Sequence, residues 1–193
     1  MTEARRSLIE TADKRTFTSE VRAAQAEDGS TQLVGYAAMW DREADGLPFR
    51  EVIKRGAFKR SLDRGDDVFL LVNHDTDALP LARRSAGTLS LIEDEVGLRI
   101  EATLDPSNPR AAELASALSR GDVDKMSFAF RVAEDGSTKN KDGVRELRAL
   151  DLFEVSVVTW PAYSATSVGM RSASDDLQAR WRFAQLRARH RAA

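Results

Sequence analysis

The sequence contains no cysteine, which excludes disulfide bonds, thiolate metal ligands and a cysteine nucleophile. It contains only two histidines, His74 and His190, so any mechanism that needs an imidazole base must use one of them. No apolar run approaches the roughly 20 residues that span a bilayer, and none near the N-terminus has the apolar core of a signal peptide. We therefore expect a protein with no membrane partner that works in a cytoplasm-like space.

The sequence also lacks any strong excess of charge, and its formal net charge is -2. A nearly balanced charge gives no reason to expect nucleic acid as a partner. A pattern like the opening of a calcium-binding loop occurs at Asp41, Glu43 and Asp45 before Gly46. However, Val52 stands where such a loop needs a bidentate glutamate, and no helix is predicted before it. We expect no metal site and no cofactor.

Hairpin patterns dominate the chain. Strand-like runs flank Asp28-Gly29 and the segment DEVG, and two longer runs, KMSFAFRVAED and VRELRALDLFEVSVVTW, follow later. Helices are predicted at GAFKRSLDRG and at NPRAAELASALSR, where Asn108 is the N-cap and Gly121 ends the helix. The prediction is an α+β fold that is mainly β: an antiparallel barrel of about seven strands, closed or nearly closed, with the helices packed outside.

The chain length suits one folded domain. We predict a flexible N-terminal lead-in over residues 1–14, the folded domain over residues 15–171, and a basic helix over residues 172–193. That last helix carries Trp181, Phe183 and Leu186 among its arginines. It could be an interaction segment or a solvated helix packed loosely on the domain.

His74 follows the apolar run VFLLV, which is typical of a buried strand. The end of such a strand is a natural place to present a side chain, although a histidine that only bonds locally fits the pattern too. In KMSFAF, strand alternation puts Met126, Phe128 and Phe130 on one face and Ser127 on the other. The small residues would leave that face open to a peptide, unless they pack beneath another element.

Glu154 stands inside the apolar run DLFEVSVVTW, where alternation puts it on one face with Leu152, Ser156 and Val158. A buried carboxylate needs a partner. An imidazole would serve, and so would an arginine such as Arg131 or Arg148.

A serine hydroxyl becomes nucleophilic when a base lies nearby, and the base gains from a group that fixes its tautomer. Ser127, His74 and Glu154 could supply that set. The absence of a G-x-S-x-G motif counts against an α/β-hydrolase. The residues alone therefore allow a serine hydrolase, including an esterase, without requiring one.

Five blocks in order carry a more specific signal. They are GYAAMWDRE, FREVIKRGAFKRSL, LLVNHDTDALPLARRSAGTLSLIEDEVGLRIEATL, ALSRGDVDKMSFAF and LFEVSVVTWPAYSATSVGMRS. This series, from about Arg15 to Arg171, resembles the prohead (procapsid maturation) serine proteases of tailed phages, which are related in fold to the herpesvirus assemblins. The resemblance implies an assemblin-like fold and serine endopeptidase activity.

Carried over by position, the resemblance implies that Ser127 is the nucleophile, His74 the base and Glu154 the third member. Assemblins use a second histidine there, but His190 lies beyond the matching blocks, so an acid is the consistent choice and Asp151 is the fallback. The resemblance also implies an oxyanion hole formed by backbone N–H groups around Arg83 and Arg84. Ala82 departs from the glycine that family members often have before them.

The implied substrate is scaffolding protein, or the scaffolding segment of the major capsid protein, cut inside the phage procapsid in the host cytoplasm. Self-cleavage is also implied, and a homodimer is compatible with the resemblance. A non-enzymatic capsid assembly or scaffold protein is the alternative of a different class.

Overall fold

Three β-sheets form the framework of the computed structural model, which describes residues 3–18, 21–25, 30–44 and 47–159. The strands are β1 (Asp13–Thr18), β2 (Arg22–Gln25), β3 (Thr31–Met39), β4 (Glu51–Ile53), β5 (Phe69–Val72), β6 (Ala82–Arg83), β7 (Leu89–Glu93), β8 (Gly97–Leu104), β9 (Lys125–Val132), β10 (Ser137–Lys139), β11 (Arg145–Leu147) and β12 (Leu150–Val158). The helices are α1 (Glu3–Thr11), α2 (Lys59–Asp63) and α3 (Pro109–Arg120), with a short 3-10 turn at Arg84–Ala86.

The largest sheet has the strand order β1-β9-β12-β5-β6, and a four-stranded sheet has the order β2-β3-β8-β7. A small third sheet has the order β10-β11-β4. Most pairings are antiparallel, but β12 runs parallel to β5 and β11 runs parallel to β4. The prediction of a mainly β, α+β fold is confirmed. The prediction of one antiparallel barrel is wrong, because none of these three sheets closes on itself within the described residues.

Two long runs that look like single strands, RTFTSEVRAAQ and VRELRALDLFEVSVVTW, are each divided between two sheets. The first leaves the large sheet after Thr18 and resumes in the four-stranded sheet at Arg22. The second ends at Leu147 in the small sheet and resumes at Leu150 in the large one. At this second break the backbone passes so close that a Cβ at Gly136 would lie 2.3 Å from the carbonyl oxygen of Ala149.

The locally encoded elements are confirmed. The β2–β3 and β7–β8 hairpins are antiparallel as predicted, although the Asp28-Gly29 turn itself lies outside the described residues. Helix α3 begins after Asn108, whose side chain accepts a hydrogen bond of 3.0 Å from the backbone N–H of Arg110. It ends at Gly121, which has a φ of 77°. These elements depend on neighbours in sequence, which is why the pattern predicts them.

The main core contains the aromatic face of β9. Met126, Phe128 and Phe130 are buried there, as predicted, and the Phe58 and Phe128 rings meet edge to face with centroids 5.2 Å apart. No helix among the described residues has the length and hydropathy needed to cross a membrane. The predicted basic helix of residues 172–193 lies outside the described residues.

The opposite face of the large sheet is covered by a second, smaller cluster. Part of the predicted lead-in forms helix α1, whose Ile9 is buried against Phe69, Leu71 and Ala129. The helix is followed directly by β1, the edge strand of the same sheet. The N-terminal segment therefore folds back across the sheet face that does not contribute to the main core.

Candidate active site

His74, Ser127 and Glu154 lie together in one hydrogen-bonded row. The Nε2 atom of His74 lies 2.8 Å from the Oγ atom of Ser127. On the other side of the ring, Nδ1 lies 2.6 Å from Oε1 of Glu154. The structure therefore brings together the three residues that the sequence predicts to act as a set.

Strand pairing explains why these side chains meet. Ser127 on β9 is directly opposite Ser156 on β12, and Ser156 is directly opposite Leu71 on β5. Residues that are opposite each other in adjacent strands have side chains on the same face of a sheet. His74 follows the end of β5 closely, so its ring reaches Glu154 on the adjacent strand β12 and Ser127 on β9, the strand beyond it.

A β-bulge in β12 directs Glu154 to this face. The pairing with β9 shifts between Leu152 and Glu154, so that Leu152 is opposite Phe130 and Glu154 is opposite Ala129. Leu152 and Phe130 belong to the main core, whereas Ala129 belongs to the smaller cluster on the other face. The prediction that Glu154 shares a face with Leu152 is therefore wrong, because the extra residue of the bulge reverses the alternation.

The backbone at His74 has an unusual conformation. His74 and Asn73 have φ values of 57° and 54°, in the left-handed region that few non-glycine residues occupy. The N–H of Asn73 donates to the carbonyl oxygen of Val157 at 2.9 Å, and the N–H of Asp75 donates to that of Val72 at 3.0 Å. The Asn73 side chain also accepts from the backbone N–H of Thr159 at 2.9 Å. These bonds to β12 and β5 hold the turn that presents the imidazole.

The Glu154 carboxylate is fully buried, and both of its oxygens are hydrogen-bonded. Oε1 faces His74, and Oε2 accepts from the Ser156 hydroxyl at 2.7 Å. The alternative arginine partners lie elsewhere. Arg131 is placed over the ring of Phe153, and Arg148 pairs with Glu146.

The fallback acid, Asp151, is not at this site. Its carboxylate accepts from Arg64 at 2.8 Å and is 22% exposed. The geometry therefore favours Glu154 over Asp151 as the partner of the imidazole.

The Ser127 hydroxyl has two acceptors within reach and one hydrogen to give. Its Oγ lies 2.9 Å from the carbonyl oxygen of Arg15 and 2.8 Å from Nε2 of His74. With a neutral imidazole that carries its proton on Nδ1, Nε2 is free to accept the hydroxyl hydrogen. If the hydroxyl donates to Arg15 instead, Nε2 must carry a proton of its own. The row thus accommodates a neutral and a charged imidazole without movement of heavy atoms.

The Arg15 carbonyl is held in place by a buried ion-pair network. The Arg15 guanidinium binds Glu51 through two nitrogens, one of them at 3.2 Å, and Arg145 binds the same carboxylate at 3.0 Å. Sequence reasoning misses this network, because its members lie in three separate segments and form no motif. Its effect is to tie β1 to the small sheet, because Glu51 lies on β4 and Arg145 on β11.

Access to Ser127 differs from the prediction. The residue is 0% exposed, and the face expected to be open is covered where Ile9 packs on Ala129. Helix α1 also contacts the loop after His74: Arg6 forms an ion pair with Asp77, and the Thr76 hydroxyl donates to Glu10 at 3.1 Å. Ala129 thus packs beneath another element, as the alternative interpretation of the pattern expects.

The structure does not bring the predicted oxyanion donors to Ser127. The N–H of Arg83 donates to the Thr88 hydroxyl at 2.8 Å, and the N–H of Arg84 donates to the carbonyl oxygen of Val68 at 2.9 Å. Strand β6, which includes Arg83, is separated from β9 by β5 and β12. A role for these two donors stays a prediction, and it requires both hydrogen bonds to be exchanged.

The sequence is similar to those of known prohead proteases. Residues 17–179 match the family described as caudovirus prohead serine protease. The prohead protease of Enterobacteria phage HK97 is 33% identical over 146 residues, which cover 75% of this chain and 61% of that protein. The chain thus spans about three fifths of the length of that relative. The structure of the bacteriophage T4 capsid assembly protease aligns with a TM-score of 0.48 at 11% identity, covering 77% of this chain and 99% of that one.

Proposed function

Because the chain belongs to the caudovirus prohead serine protease family, we propose that it is a serine endopeptidase with a triad of Ser127, His74 and Glu154. The observation that carries the proposal is the unbroken row of hydrogen bonds from the Ser127 hydroxyl through the imidazole to a buried carboxylate. We also propose a catalytic domain over residues 15–171, flanked by residues 1–14 and by a basic helix over residues 172–193; the family match over residues 17–179 supports most of that domain and extends into the proposed C-terminal helix.

Each residue has a defined task in this mechanism. Ser127 Oγ attacks the carbonyl carbon of the scissile peptide while its proton passes to Nε2 of His74. The Glu154 carboxylate keeps the other ring proton on Nδ1 and stabilises the imidazolium that forms. His74 then gives the proton to the leaving amine, and water releases the acyl group from Ser127 in a second cycle of the same transfers. The backbone N–H groups of Arg83 and Arg84 are the proposed oxyanion donors, which requires them to leave Thr88 and Val68 and to move toward Ser127 across two strands.

The family also guides the choice of substrate. We propose that the enzyme cuts scaffolding protein, or the scaffolding segment of the major capsid protein, inside the procapsid in the host cell. Self-cleavage and a homodimer are part of the same proposal. Because Ser127 is buried and Ile9 of α1 packs with Ala129 of the same strand, we propose that α1 shifts when an extended substrate reaches the hydroxyl.

Co-expression of the full chain with its capsid protein tests the proposal. The wild-type chain should yield processed capsid protein on a gel. Ser127→Ala should remove processing, since loss of a triad nucleophile lowers turnover by roughly 10⁶-fold. Ser119→Ala is the matched control, because its hydroxyl donates only to the carbonyl oxygen of Ser116 on the surface of α3.

The outcomes separate the alternatives. Processing by Ser127→Ala would refute Ser127 as the nucleophile. Normal particle assembly without processing by the wild-type chain would favour a non-enzymatic assembly protein. Hydrolysis of small esters without cleavage of capsid or scaffolding protein would indicate a different serine hydrolase.

A further inference from the structure

The buried hydroxyl of Ser156 takes part in the site without touching the reacting atoms. Ser156 lies on β12 and is 0% exposed. Its Oγ donates to Oε2 of Glu154 at 2.7 Å and accepts from the backbone N–H of His74 at 3.1 Å. One side chain therefore contacts both the acid and the base of the proposed triad.

The donated bond fixes the orientation of the carboxylate. Oε1 of Glu154 is occupied by the imidazole, and Ser156 supplies a hydrogen-bond donor for the other oxygen. A buried carboxylate oxygen without a hydrogen-bond donor is unfavourable, because the hydrogen bonds that it made with water in the unfolded chain are not replaced. With both oxygens bonded, the carboxylate plane cannot rotate without breaking one of the two bonds.

The accepted bond fixes the base. The backbone of His74 is in the left-handed region, a conformation that persists only where surrounding bonds impose it. The Ser156 hydroxyl satisfies the N–H of that residue. It thereby ties the backbone of the base to the strand that carries the acid.

Together the contacts close a ring: His74 side chain to Glu154, Glu154 to Ser156, and Ser156 back to the His74 backbone. We propose that Ser156 is a positioning residue that sets the orientation of His74 and Glu154 toward Ser127. This inference rests on the proposed function, since it concerns the efficiency of the same triad. A misplacement of about 1 Å in such a site can lower turnover by roughly 100-fold.

A second buried serine provides a matched control. Ser61 is also 0% exposed, and its Oγ donates to Asp66 at 2.6 Å and accepts from the backbone N–H of Leu152 at 3.0 Å. It thus makes the same two kinds of bond and also contacts β12, but neither of its partners belongs to the triad. A purely structural role for a buried bridging hydroxyl would affect both serines alike.

Steady-state cleavage by the full chain gives the first test. Ser156→Ala should lower kcat by roughly 100-fold with KM within about twofold of wild type, since the change disturbs the reacting groups and not peptide binding. Ser156→Thr keeps the hydroxyl and should recover most of the lost kcat. Ser61→Ala should retain kcat within about threefold of wild type, even if its thermal midpoint falls as much as that of Ser156→Ala. Equal losses of kcat in the two alanine variants, or a Ser156→Ala enzyme within about threefold of wild type, would overturn the proposal.

Proton NMR gives a second test that needs no turnover. In the Ser127→Ala background, the Nδ1 proton of His74 should give a resolved, slowly exchanging signal. Adding Ser156→Ala should broaden or remove that signal, and adding Ser61→Ala should leave it. A signal unchanged by Ser156→Ala would overturn the proposal. Absence of cleavage by the wild-type chain would instead refute the proposed function, and the NMR comparison would still decide the role of Ser156.

Discussion

Replacing Glu154 with glutamine preserves the size of the side chain and removes its charge, so it tests the acid of the proposed triad directly. The amide can enter the site in two orientations. With its oxygen toward Nδ1 of His74, the ring keeps the correct tautomer but loses the negative charge beside it. With its NH₂ group toward Nδ1, the ring proton moves to Nε2, which then cannot accept from Ser127.

Both orientations predict a large loss of turnover. Opposite unit charges about 4 Å apart attract by about 4 kcal/mol at an effective dielectric constant of about 20. The imidazolium that forms in the transition state would lose that attraction, which corresponds to roughly a 10³-fold fall in kcat. In the second orientation the wrong tautomer brings the loss to roughly 10⁴-fold, as found for the aspartate of other serine protease triads. We therefore expect Glu154→Gln to lower kcat by about 10³- to 10⁴-fold.

The matched control is Asp151→Asn, because Asp151 is the other acid of the same strand and pairs with Arg64 at the surface. It should retain turnover within about threefold of wild type. The assay is steady-state cleavage of capsid or scaffolding protein, with thermal unfolding to show that both variants are folded. A Glu154→Gln enzyme within tenfold of wild type, or an equal loss in Asp151→Asn, would refute the assignment of the acid.

Two further predictions concern the elements that surround the triad. Glu51→Gln should lower the free energy of unfolding by about 3–5 kcal/mol in urea denaturation, since it leaves two arginines beside a neutral buried group. The control is Glu43→Gln, which removes one charge of an exposed ion pair and should lower the free energy of unfolding by about 0–1 kcal/mol. A loss below about 1 kcal/mol for Glu51→Gln would contradict this reasoning. Ile9→Ala should weaken the packing of α1 on the large sheet by about 2–5 kcal/mol, so that a fluorophosphonate labels Ser127 faster. Leu118→Ala, in α3, should lower the free energy of unfolding without making that labelling faster. Unchanged labelling of Ile9→Ala would show that α1 does not limit access.

The parts of the fold that sequence reasoning predicts are those encoded by near neighbours. Alternation along β9 correctly separates Phe128 and Phe130 from Ser127, and the capping residues of α3 define both of its ends. The grouping of a serine, a histidine and an acid was inferred from chemistry and from the resemblance. The arrangement of the three side chains cannot be read from the sequence, because the residues lie on three segments that meet only through strand pairing.

Two features of the site depend on long-range packing that no local pattern encodes. The first is the packing of α1 on the large sheet: the helix has few apolar residues, and the burial of Ile9 together with the contacts of Arg6 and Glu10 to the loop after His74 makes it part of the fold. The second is the anchor of β1, which depends on a buried contact between Arg15 and Glu51 across 36 positions of sequence. Charged residues at such separations carry no periodic signal, so their pairing becomes visible only in three dimensions.

The bulge in β12 is visible in the spacing of the residues that this strand contributes to the core. The residues of β12 that enter the main core are Leu150, Leu152, Val155 and Val157, and the step from Leu152 to Val155 is three positions instead of two. A regular strand through Leu152 would have directed Glu154 into an apolar core, where an unpartnered carboxylate is strongly unfavourable. The extra residue at the bulge resolves that conflict: it keeps the core apolar and delivers Glu154 and Ser156 together to the imidazole.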